Sequence, residues 1–274
     1  MGSDRMSECI ALGGPQRIVC LSTETCEVLY HLGEQQRIVG ISGFTVRPPQ
    51  ARKEKPKVAA FTSAKSEEIL ALEPDLVLGY CDLQAGILAD LAREGLEVHL
   101  FNQRSIAGIL RMISTLGALV GAHERTAQLI AELEEGLLQA RNAGCREGRR
   151  PRVYFEEWND PLISGIGWVS ELIELAGGED CFAELASKPS AKERIISDPQ
   201  EVVRRAPDII IGSWCGKRFR PEQVQERAGW QSIPAVQSGQ LHEVKSADIL
   251  QPGIGALTDG LQHLSRIIRN WHAA

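Results

Sequence analysis

The sequence lacks the patterns that mark membrane-spanning, disulfide-rich and nucleic-acid-binding proteins. No apolar run approaches the roughly 20 residues that a helix needs to cross a bilayer, so a membrane-spanning chain is not expected. The seven cysteines are odd in number and widely scattered, with no C-x-x-C pair, which argues against a disulfide framework or a structural zinc site. A formal net charge of −6 argues against a nucleic-acid partner.

Sequence signatures of catalysis are also absent. There is no G-x-S-x-G elbow, no Walker loop and no G-x-G-x-x-G fingerprint, and the six histidines are not spaced to surround a metal ion. The sequence therefore predicts no catalytic residue, no metal site and no intrinsic cofactor.

The N-terminus has no charged region followed by an apolar one, so it carries no recognisable export signal. The opening from Met1 to Arg5, followed by Met6, is typical of an expression leader placed before a second start. Cys20 and Cys26 lie among apolar residues and are interpreted as small hydrophobic side chains in a reducing compartment. On these grounds the chain as it stands is expected in the cytoplasm.

What the sequence does contain is an internal repeat. Glu68–Gly79 matches Glu201–Gly212 with Glu, Pro, Asp and Gly in register at an offset of 133, since 201 − 68 = 133. Each copy predicts a short helix that ends at Pro-Asp, followed by a strand buried on both faces. These strands are Leu76–Leu78 and Ile209–Ile211.

A second pairing precedes this repeat in each half. The predicted strands Arg17–Ser22 and Arg152–Glu156 are each followed by a helical pattern, Thr25–Leu32 or Ser170–Ala176, that stops at a glycine. Strands that alternate with helices imply mostly parallel sheets covered by helices, which is the α/β class.

One long amphipathic helix is predicted at residues 122–142, with Ala127, Ile130, Leu133 and Leu137 on its apolar face. It would be about 30 Å long and could join two similar lobes. We therefore predict an N-terminal α/β lobe at residues 16–118, a connecting helix at 119–143 and a C-terminal α/β lobe at 150–274. In parallel sheets ligands bind beyond the carboxyl ends of the strands, so the loops there should form a ligand cleft between the lobes.

Three segments carry a family resemblance that runs from about residue 16 to the C-terminus. They are Arg17–Gly33 (RIVCLSTETCEVLYHLG), Arg37–Ser42 (RIVGIS) and Glu68–Leu78 (EILALEPDLVL). Their residues and order resemble the vitamin B12 and ferric-siderophore substrate-binding proteins of ABC importers. The resemblance implies two lobes bridged by one long helix, with limited hinge motion and a corrin, siderophore or haem-like ligand in the cleft.

The resemblance also implies partners and a location. Family members present an acidic residue on each lobe to a membrane permease, and the matching positions here are Glu68 and Glu201. A carboxylate in the first turn of a helix is also favoured by the helix dipole alone, which is the rival explanation. The family implies the periplasm once a signal has been removed, and this chain departs from it in lacking that signal and in its cysteine content.

Candidate ligand-binding residues of the first half follow its predicted strands. The loop at 43–49 joins an aromatic side chain, a cation and two prolines, which suits a preformed binding wall or simply a rigid surface loop. Arg104 could bind a carboxylate or amide, or could instead pair with Asp82. The candidates in this half are Phe44, Arg47, Phe61, Tyr80, Asp82 and Arg104.

The second half places tryptophans at strand ends and in loops, where large flat side chains suit a large flat ligand, although core packing is the alternative for each. Glu156 and Glu157 alternate along an extended segment, so only one of them can face the cleft. The candidates in this half are Glu157, Trp158, Trp168, Trp214, Lys245 and Asp248.

Two functional hypotheses follow. The first is a non-catalytic protein that binds a cobalamin-like ligand, either for ABC-type import or as a carrier, with ferric siderophore or haem as the alternative ligand. The second is a cytoplasmic enzyme or sensor that uses Glu156, Glu157, Asp248 or Cys215 on a bound small molecule. Cys81 and Cys215 both follow repeat strands and could bind a soft metal, although inert thiols are the simpler interpretation.

Overall fold

The structure, a computed structural model, describes residues 14–145 and 148–273. The leader interpretation of Met1–Met6 and the cysteine Cys9 lie outside these residues. By their internal contacts the described residues form two units. The N-terminal unit runs through Asn102 and includes Arg111–Ile130, and the C-terminal unit comprises Gln103–Leu110 and the chain from Ala131 onward.

The N-terminal unit contains a five-stranded parallel sheet of order β3-β2-β1-β4-β5. Its strands are β1 (Ile18–Cys20), β2 (Ile38–Ser42), β3 (Lys57–Ala59), β4 (Leu76–Tyr80) and β5 (Val98–Phe101). Its helices are α1 (Thr23–His31), α2 (Ala51–Glu54), α3 (Ser66–Ala71) and α4 (Ala85–Arg93), and α5 (Ile106–Leu119) begins in the C-terminal unit and ends here. Because β1 and β4 are fully covered, their aliphatic side chains form the core of this unit.

The C-terminal unit contains a mixed sheet of order β10-β9-β6-β7, with β8 also paired to β6. Its strands are β6 (Arg152–Asn159), β7 (Leu162–Ser164), β8 (Glu179–Asp180), β9 (Ile209–Gly212) and β10 (Leu241–Glu243). Its helices are α7 (Gly167–Leu175), α8 (Ala183–Ala186), α9 (Gln200–Arg205), α10 (Pro221–Gln225), α11 (Pro234–Gln237), α12 (Ser246–Ile249) and α13 (Leu261–Trp271). The β6–β7 hairpin is antiparallel, and the other pairings are parallel.

The two copies of the repeat fold alike. Their strands are β4 and β9, both fully buried, and their helices are α3 and α9. In each copy the turn between the helix and the strand contains a non-glycine residue with positive φ, namely Glu73 at 46° and Ala206 at 44°. These two residues are again 133 positions apart. The predicted α/β class with parallel-sheet units is thus confirmed.

The long helix is also confirmed, as α6 (His123–Gly144) with 22 residues, although its apolar face differs from the prediction. Thr126 and Leu129 are buried, whereas Ala127 is exposed. The reason is local: a Cβ on Gly117 would lie 1.9 Å from the Thr126 hydroxyl, so only the missing side chain of glycine makes room for Thr126. Its hydroxyl is satisfied by donating to Ala122 O at 2.8 Å.

Within residues 14–145 and 148–273, no helix is both long and apolar enough to cross a bilayer.

Candidate functional site

Exposed apolar side chains gather at the carboxyl end of the sheet in the N-terminal unit. Four large exposed hydrophobic residues lie in the loops after β2, β3 and β4: Phe44 (58% exposed), Val46 (37%), Phe61 (37%) and Leu83 (58%). Among the described residues, the other large exposed hydrophobic side chains are those of Leu100 on β5 and Leu138 on α6. Exposed apolar side chains that gather at one end of a sheet are typical of a binding surface.

A buried amide fixes these loops in place. Gln84 is fully buried, and its Nε2 donates to Leu21 O and to Phe61 O, both at 3.0 Å. Its Oε1 accepts from the backbone N–H of Tyr80 at 2.9 Å. One side chain therefore joins the ends of β1 and β4 to the loop that carries Phe61. Cys81 beside it has a φ of 60°, a conformation that non-glycine residues adopt only at a cost.

The loop after β2 is held by arginines. Arg52 Nη1 donates to Gly43 O at 2.8 Å and to Thr45 O at 3.0 Å. Arg47, a predicted ligand contact, donates through Nε to Glu27 Oε1 at 2.8 Å. The charge of Arg47 is thus balanced by a buried carboxylate, and Phe44 is presented on a rigid loop.

Glu24 lies at the start of α1, beyond the end of β1, and is only 3% exposed. Burial raises the pKa of Glu24 from 4.5 to about 7, an effect opposed by hydrogen bonds to its own backbone and to Ser22. Its Oε1 is buried without a hydrogen-bond partner among the described residues. Glu24 is therefore an acid held mainly in its neutral form below neutral pH.

In the C-terminal unit, a lysine lies against two indole rings. Lys217 Nζ is 4.0 Å from the centre of the Trp158 ring and 5.5 Å from that of Trp214. Trp158 is half-buried and Lys217 is exposed. A cation over the face of an indole is an attractive contact, so these residues hold one another in place at the carboxyl ends of β6 and β9.

Glu156 is fully buried in the middle of β6, opposite Gly212 at the end of β9, and accepts hydrogen bonds from several donors. Arg227 binds it through both guanidinium nitrogens at 2.5 and 2.9 Å, Trp214 Nε1 donates at 2.9 Å and Tyr154 OH donates at 3.0 Å. Burial and the neighbouring Glu156 carboxylate raise the pKa of Tyr154, so its hydroxyl remains a donor. With three side chains donating to its carboxylate, Glu156 acts as an anchor of the core.

Its neighbour Glu157 is only partly buried and pairs with Arg194, whose nitrogens lie 2.6 and 3.2 Å from the carboxylate. Arg194 is itself 2% exposed and also donates to Ser164 O at 2.5 Å. The alternation expected from the sequence is present: one carboxylate of the pair is buried and the other reaches the surface.

Trp168 and Trp214 lie in the core of the C-terminal unit. Trp168 is 2% exposed and donates to Ile249 O at 2.8 Å, and Trp214 is 3% exposed with its ring 5.1 Å from that of Phe219. Core packing, the alternative raised by the sequence, suits both positions. Their contact with a ligand stays a prediction.

The remaining candidates differ in exposure. In the N-terminal unit Tyr80 is 7% exposed and Asp82 is exposed, whereas Arg104 belongs to the C-terminal unit and is half-buried. Lys245 is exposed, and Asp248 on α12 lies 3.9 Å from His263 Nε2. Cys81 and Cys215 belong to different units, and within residues 14–145 and 148–273 no group of three or more acidic, cysteine or histidine side chains could hold a metal.

The two acidic repeat positions differ in their surroundings. Glu68 on α3 has a side chain that is 53% exposed and pairs with Lys65 at 2.8 Å. Glu201 on α9 is 33% exposed and pairs with Arg205 Nε at 2.9 Å and Arg204 Nη2 at 2.7 Å. Hydrogen bonds from Arg205 and then Arg204 lower the pKa of Glu201.

Sequence reasoning missed Glu24, Gln84, Arg194 and Arg227, whereas the loop that carries Lys217 was already a candidate. Gln84 and Arg227 act through contacts distant in the sequence, so no local pattern could reveal them. Glu24 could have been noticed, because a carboxylate directly after a buried strand at a helix start lies where parallel sheets bind ligands.

Comparisons with known proteins agree with this architecture. The family model described as periplasmic binding protein matches residues 18–247, and the chain belongs to that family. The family comprises substrate-binding proteins of ABC importers, which bind ligands without converting them.

Two curated relatives are similar in sequence. The chain is 26% identical to a vitamin B12-binding protein of Vibrio campbellii, over 94% of this chain and 92% of that one. It is also 26% identical to a cobalamin-binding protein of Halobacterium salinarum over 72% of this chain. It spans about half of that archaeal relative, 53% of its length.

Solved structures show the same fold. The periplasmic vitamin B12 binding protein of Vibrio cholerae matches with a TM-score of 0.75 and 21% identity, covering 95% of this chain and 99% of that one. A periplasmic haem-binding protein of Pseudomonas aeruginosa matches with a TM-score of 0.79 and 20% identity, covering 93% and 92%. The chain therefore shares its fold with a vitamin B12 binding protein and with a haem-binding protein.

Proposed function

We propose that this chain is a non-catalytic substrate-binding protein for a cobalamin-like corrinoid, which contacts the loops beyond the carboxyl ends of the strands. The observation that carries the proposal is the set of exposed apolar residues Phe44, Val46, Phe61 and Leu83 on loops that Gln84 and Arg52 hold rigid. A preformed apolar surface suits the broad face of a macrocycle, because no ordering of the loops opposes binding.

A corrinoid fits these loops better than haem. Haem iron in proteins is held by a side chain such as His, Met, Cys or Tyr. The loops at residues 43–50, 60–65 and 81–84 contain no histidine or methionine, and Tyr80 and Cys81 are 7% and 3% exposed. Cobalamin carries its own lower ligand and needs no metal ligand from these loops. The curated relatives that bind vitamin B12 support the same choice.

The geometry at two of the four residues named for the enzyme hypothesis does not favour it. Glu156 is fully buried and bound by Arg227, Trp214 and Tyr154, and Glu157 is paired with Arg194. A general base needs an accessible carboxylate within reach of its substrate, and Glu156 lacks that access.

The test is calorimetric titration of cyanocobalamin into the protein and into two matched variants. Phe44→Ser removes an exposed apolar side chain from the proposed site, and Leu138→Ser removes an equally exposed one (54%) from α6. We expect Phe44→Ser to weaken binding about tenfold or more, since burying an aromatic ring is worth roughly 1.5–3 kcal/mol, and Leu138→Ser to leave it unchanged. Equal affinities in both variants would contradict this placement of the site.

We also propose a permease as partner, approached through Glu68 and Glu201, and therefore a location outside the cytoplasmic membrane. Exposed ion pairs are weak, so the Glu68 carboxylate can exchange Lys65 for a cation of the partner. Glu201 is already bound by two arginines, so we expect it to contribute less.

The test uses a reconstituted cobalamin importer and measures how strongly the ligand-loaded protein stimulates its ATPase activity. Glu68→Ala should reduce stimulation, whereas Glu67→Ala, one position earlier in the first turn of α3, should not. If neither variant lost stimulation, α3 would not be a docking site for the permease. Fractionation of cells expressing the whole reading frame tests the location.

A further inference from the structure

The cation of Lys217 is held by aromatic rings and has no carboxylate partner. The turn from Trp214 to Lys217 closes by a backbone hydrogen bond of 3.2 Å, and Gly216 takes the left-handed conformation, φ 77°, that this turn needs. The turn directs the lysine towards the Trp158 ring, 4.0 Å from Nζ. Among the described residues, Lys217 makes no ion pair.

Three carboxylates of the C-terminal unit that lie on or beside the strands bordering this loop already have donors. Glu156 is bound by Arg227, and Glu157 is bound by Arg194. Glu243, at the end of β10, accepts the backbone N–H of Phe219 at 3.0 Å. These side chains cannot turn to neutralise Lys217 without leaving a buried arginine or a backbone donor unpaired.

The same loop carries further uncompensated positive charge. Arg218 and Arg220 are exposed, and neither side chain makes an ion pair within residues 14–145 and 148–273. Burial, followed by the nearby Glu157 carboxylate, raises the pKa of Cys215, so this thiol adds no negative charge. The loop thus concentrates cations beside an aromatic ring in a chain whose formal net charge is −6.

We propose that Lys217, Arg218 and Arg220 form an anion-binding subsite for a phosphate or carboxylate group of the ligand. This proposal rests on the proposed function in taking the anion to be part of the bound small molecule. It deepens that function by naming a chemical feature of the ligand class, a phosphate or carboxylate group that this loop would bind. The Trp158 ring holds the lysine in position until the anion arrives, which lowers the entropic cost of binding.

Arginine and lysine suit this role for different reasons. Guanidinium groups can bind a phosphate or carboxylate through two parallel hydrogen bonds, while the ammonium of Lys217 acts as a compact point charge. A charged hydrogen bond of this kind changes affinity by about tenfold. Because the loop is exposed, this contribution should fall as ionic strength rises.

The test measures the affinity of three probes in the parent and in the variant Lys217→Gln/Arg218→Gln/Arg220→Gln. Cyanocobalamin carries a phosphodiester, dicyanocobinamide is a corrinoid that lacks the nucleotide loop and its phosphodiester, and haemin carries propionates. Lys188→Gln is the matched control, since Lys188 is an exposed lysine of the same unit with no ion pair among the described residues. Circular dichroism confirms that each variant is folded.

A second readout does not depend on which ligand is native. Inorganic phosphate is titrated into labelled protein at constant ionic strength, and the indole N–H resonance of Trp158 is followed. A saturable shift in the parent and in Lys188→Gln, but not in the triple variant, is the expected result, because Lys217 lies on that ring.

The outcomes separate the two proposals. A loss of tenfold or more for cyanocobalamin with no loss for dicyanocobinamide supports the subsite and identifies phosphate, and a loss for haemin alone supports it and identifies carboxylate. If the parent binds none of the probes but phosphate shifts Trp158, the corrinoid and haem functions are wrong and the subsite stands. No phosphate shift, together with equal affinities in parent and triple variant, overturns the subsite.

Discussion

Asp75 and Asp208 occupy equivalent positions of the internal repeat and make the same contact. Asp75 accepts the backbone N–H of Arg17 at 2.9 Å, and Asp208 accepts that of Arg152 at 2.8 Å. In each unit a carboxylate at the start of the buried repeat strand thereby anchors the start of the neighbouring first strand. The repeated Pro-Asp of the sequence is thus a structural clamp.

The two clamps should differ in their contribution to stability. Asp208 is 5% exposed and also binds Arg149 at 2.6 and 3.0 Å, whereas Asp75 is exposed. Asp208→Ala should lower the free energy of unfolding by about 2 kcal/mol and Asp75→Ala by less than about 1 kcal/mol. Urea denaturation of both variants measures this difference, and equal losses would show that burial of the clamp is unimportant.

Acid should remove the Asp208 contribution. Burial would raise the pKa of this carboxyl, but hydrogen bonds from Arg149 and from the Arg152 backbone outweigh burial and lower the pKa below 3.8. A lowered pKa stabilises the fold above the unfolded value of 3.8, and the effect is lost as the pH falls through the folded pKa. The stability difference between the parent and Asp208→Ala should therefore shrink as the pH falls below 3.8.

The Glu156–Arg227 pair predicts a large effect when it is broken from one side only. Arg227→Met leaves a fully buried carboxylate without its cation and should lower the free energy of unfolding by about 3–5 kcal/mol. In Glu156→Gln/Arg227→Met no charge is left buried, so much of that loss should be recovered. Urea unfolding measures the stability of both variants, and equal stabilities would show that leaving Glu156 without Arg227 carries no additional cost.

Glu24 predicts a dependence of stability on pH. Burial raises its pKa in the fold to about 7, above the ordinary value of 4.5. Stability should therefore fall as the pH rises from 4.5 to about 7, and the full cost, about 3 kcal/mol at roughly 1.4 kcal/mol per pKa unit, should persist above that range. Glu24→Gln should abolish this fall.

The measurement is urea unfolding at pH 4.5 and pH 8, with Glu67→Gln, an exposed carboxylate of the same unit, as the control. At the lower pH, Glu24→Gln and the parent should have similar stability, and at pH 8 the variant should be more stable. If stability fell with pH as much in Glu24→Gln as in the parent, Glu24 would not be the group responsible for the fall.

A comparison of Trp158 with Trp168 tests which of the two contacts the ligand and which stabilises the core. Trp158 is half-buried under Lys217, whereas Trp168 is 2% exposed within the core. We expect Trp158→Ala to weaken cyanocobalamin binding with little change in stability, and Trp168→Phe to lower the unfolding midpoint with little change in affinity. Calorimetry and thermal unfolding of each variant provide the two readouts. The opposite pattern would place the ligand against Trp168.

Much of the fold could be predicted from the sequence, because its signals are local. The buried triplets Leu76–Leu78 and Ile209–Ile211, with Pro-Asp before each, predict strands, and the long amphipathic pattern predicts α6. The prediction of which face of α6 is buried was less accurate, because the burial of Thr126 depends on the missing side chain of Gly117 in another helix.

The candidate site was less accessible to prediction, because its properties arise from distant pairings. Phe44 and Phe61 could be placed by their position after strands, and both are exposed as a binding role requires. That Gln84 would bind Leu21 and Phe61 could not be read from the chain, nor could the engagement of Glu156 by Arg227, 71 residues away.

Titration of the purified protein with cyanocobalamin, followed by calorimetry and by the visible absorption of the corrin, tests the central claim most directly. The account predicts saturable binding at one ligand per chain, weakened by Phe44→Ser and unaffected by Leu138→Ser. Absence of binding at high micromolar cyanocobalamin would contradict the corrinoid assignment and direct the same titration to haem and ferric siderophores.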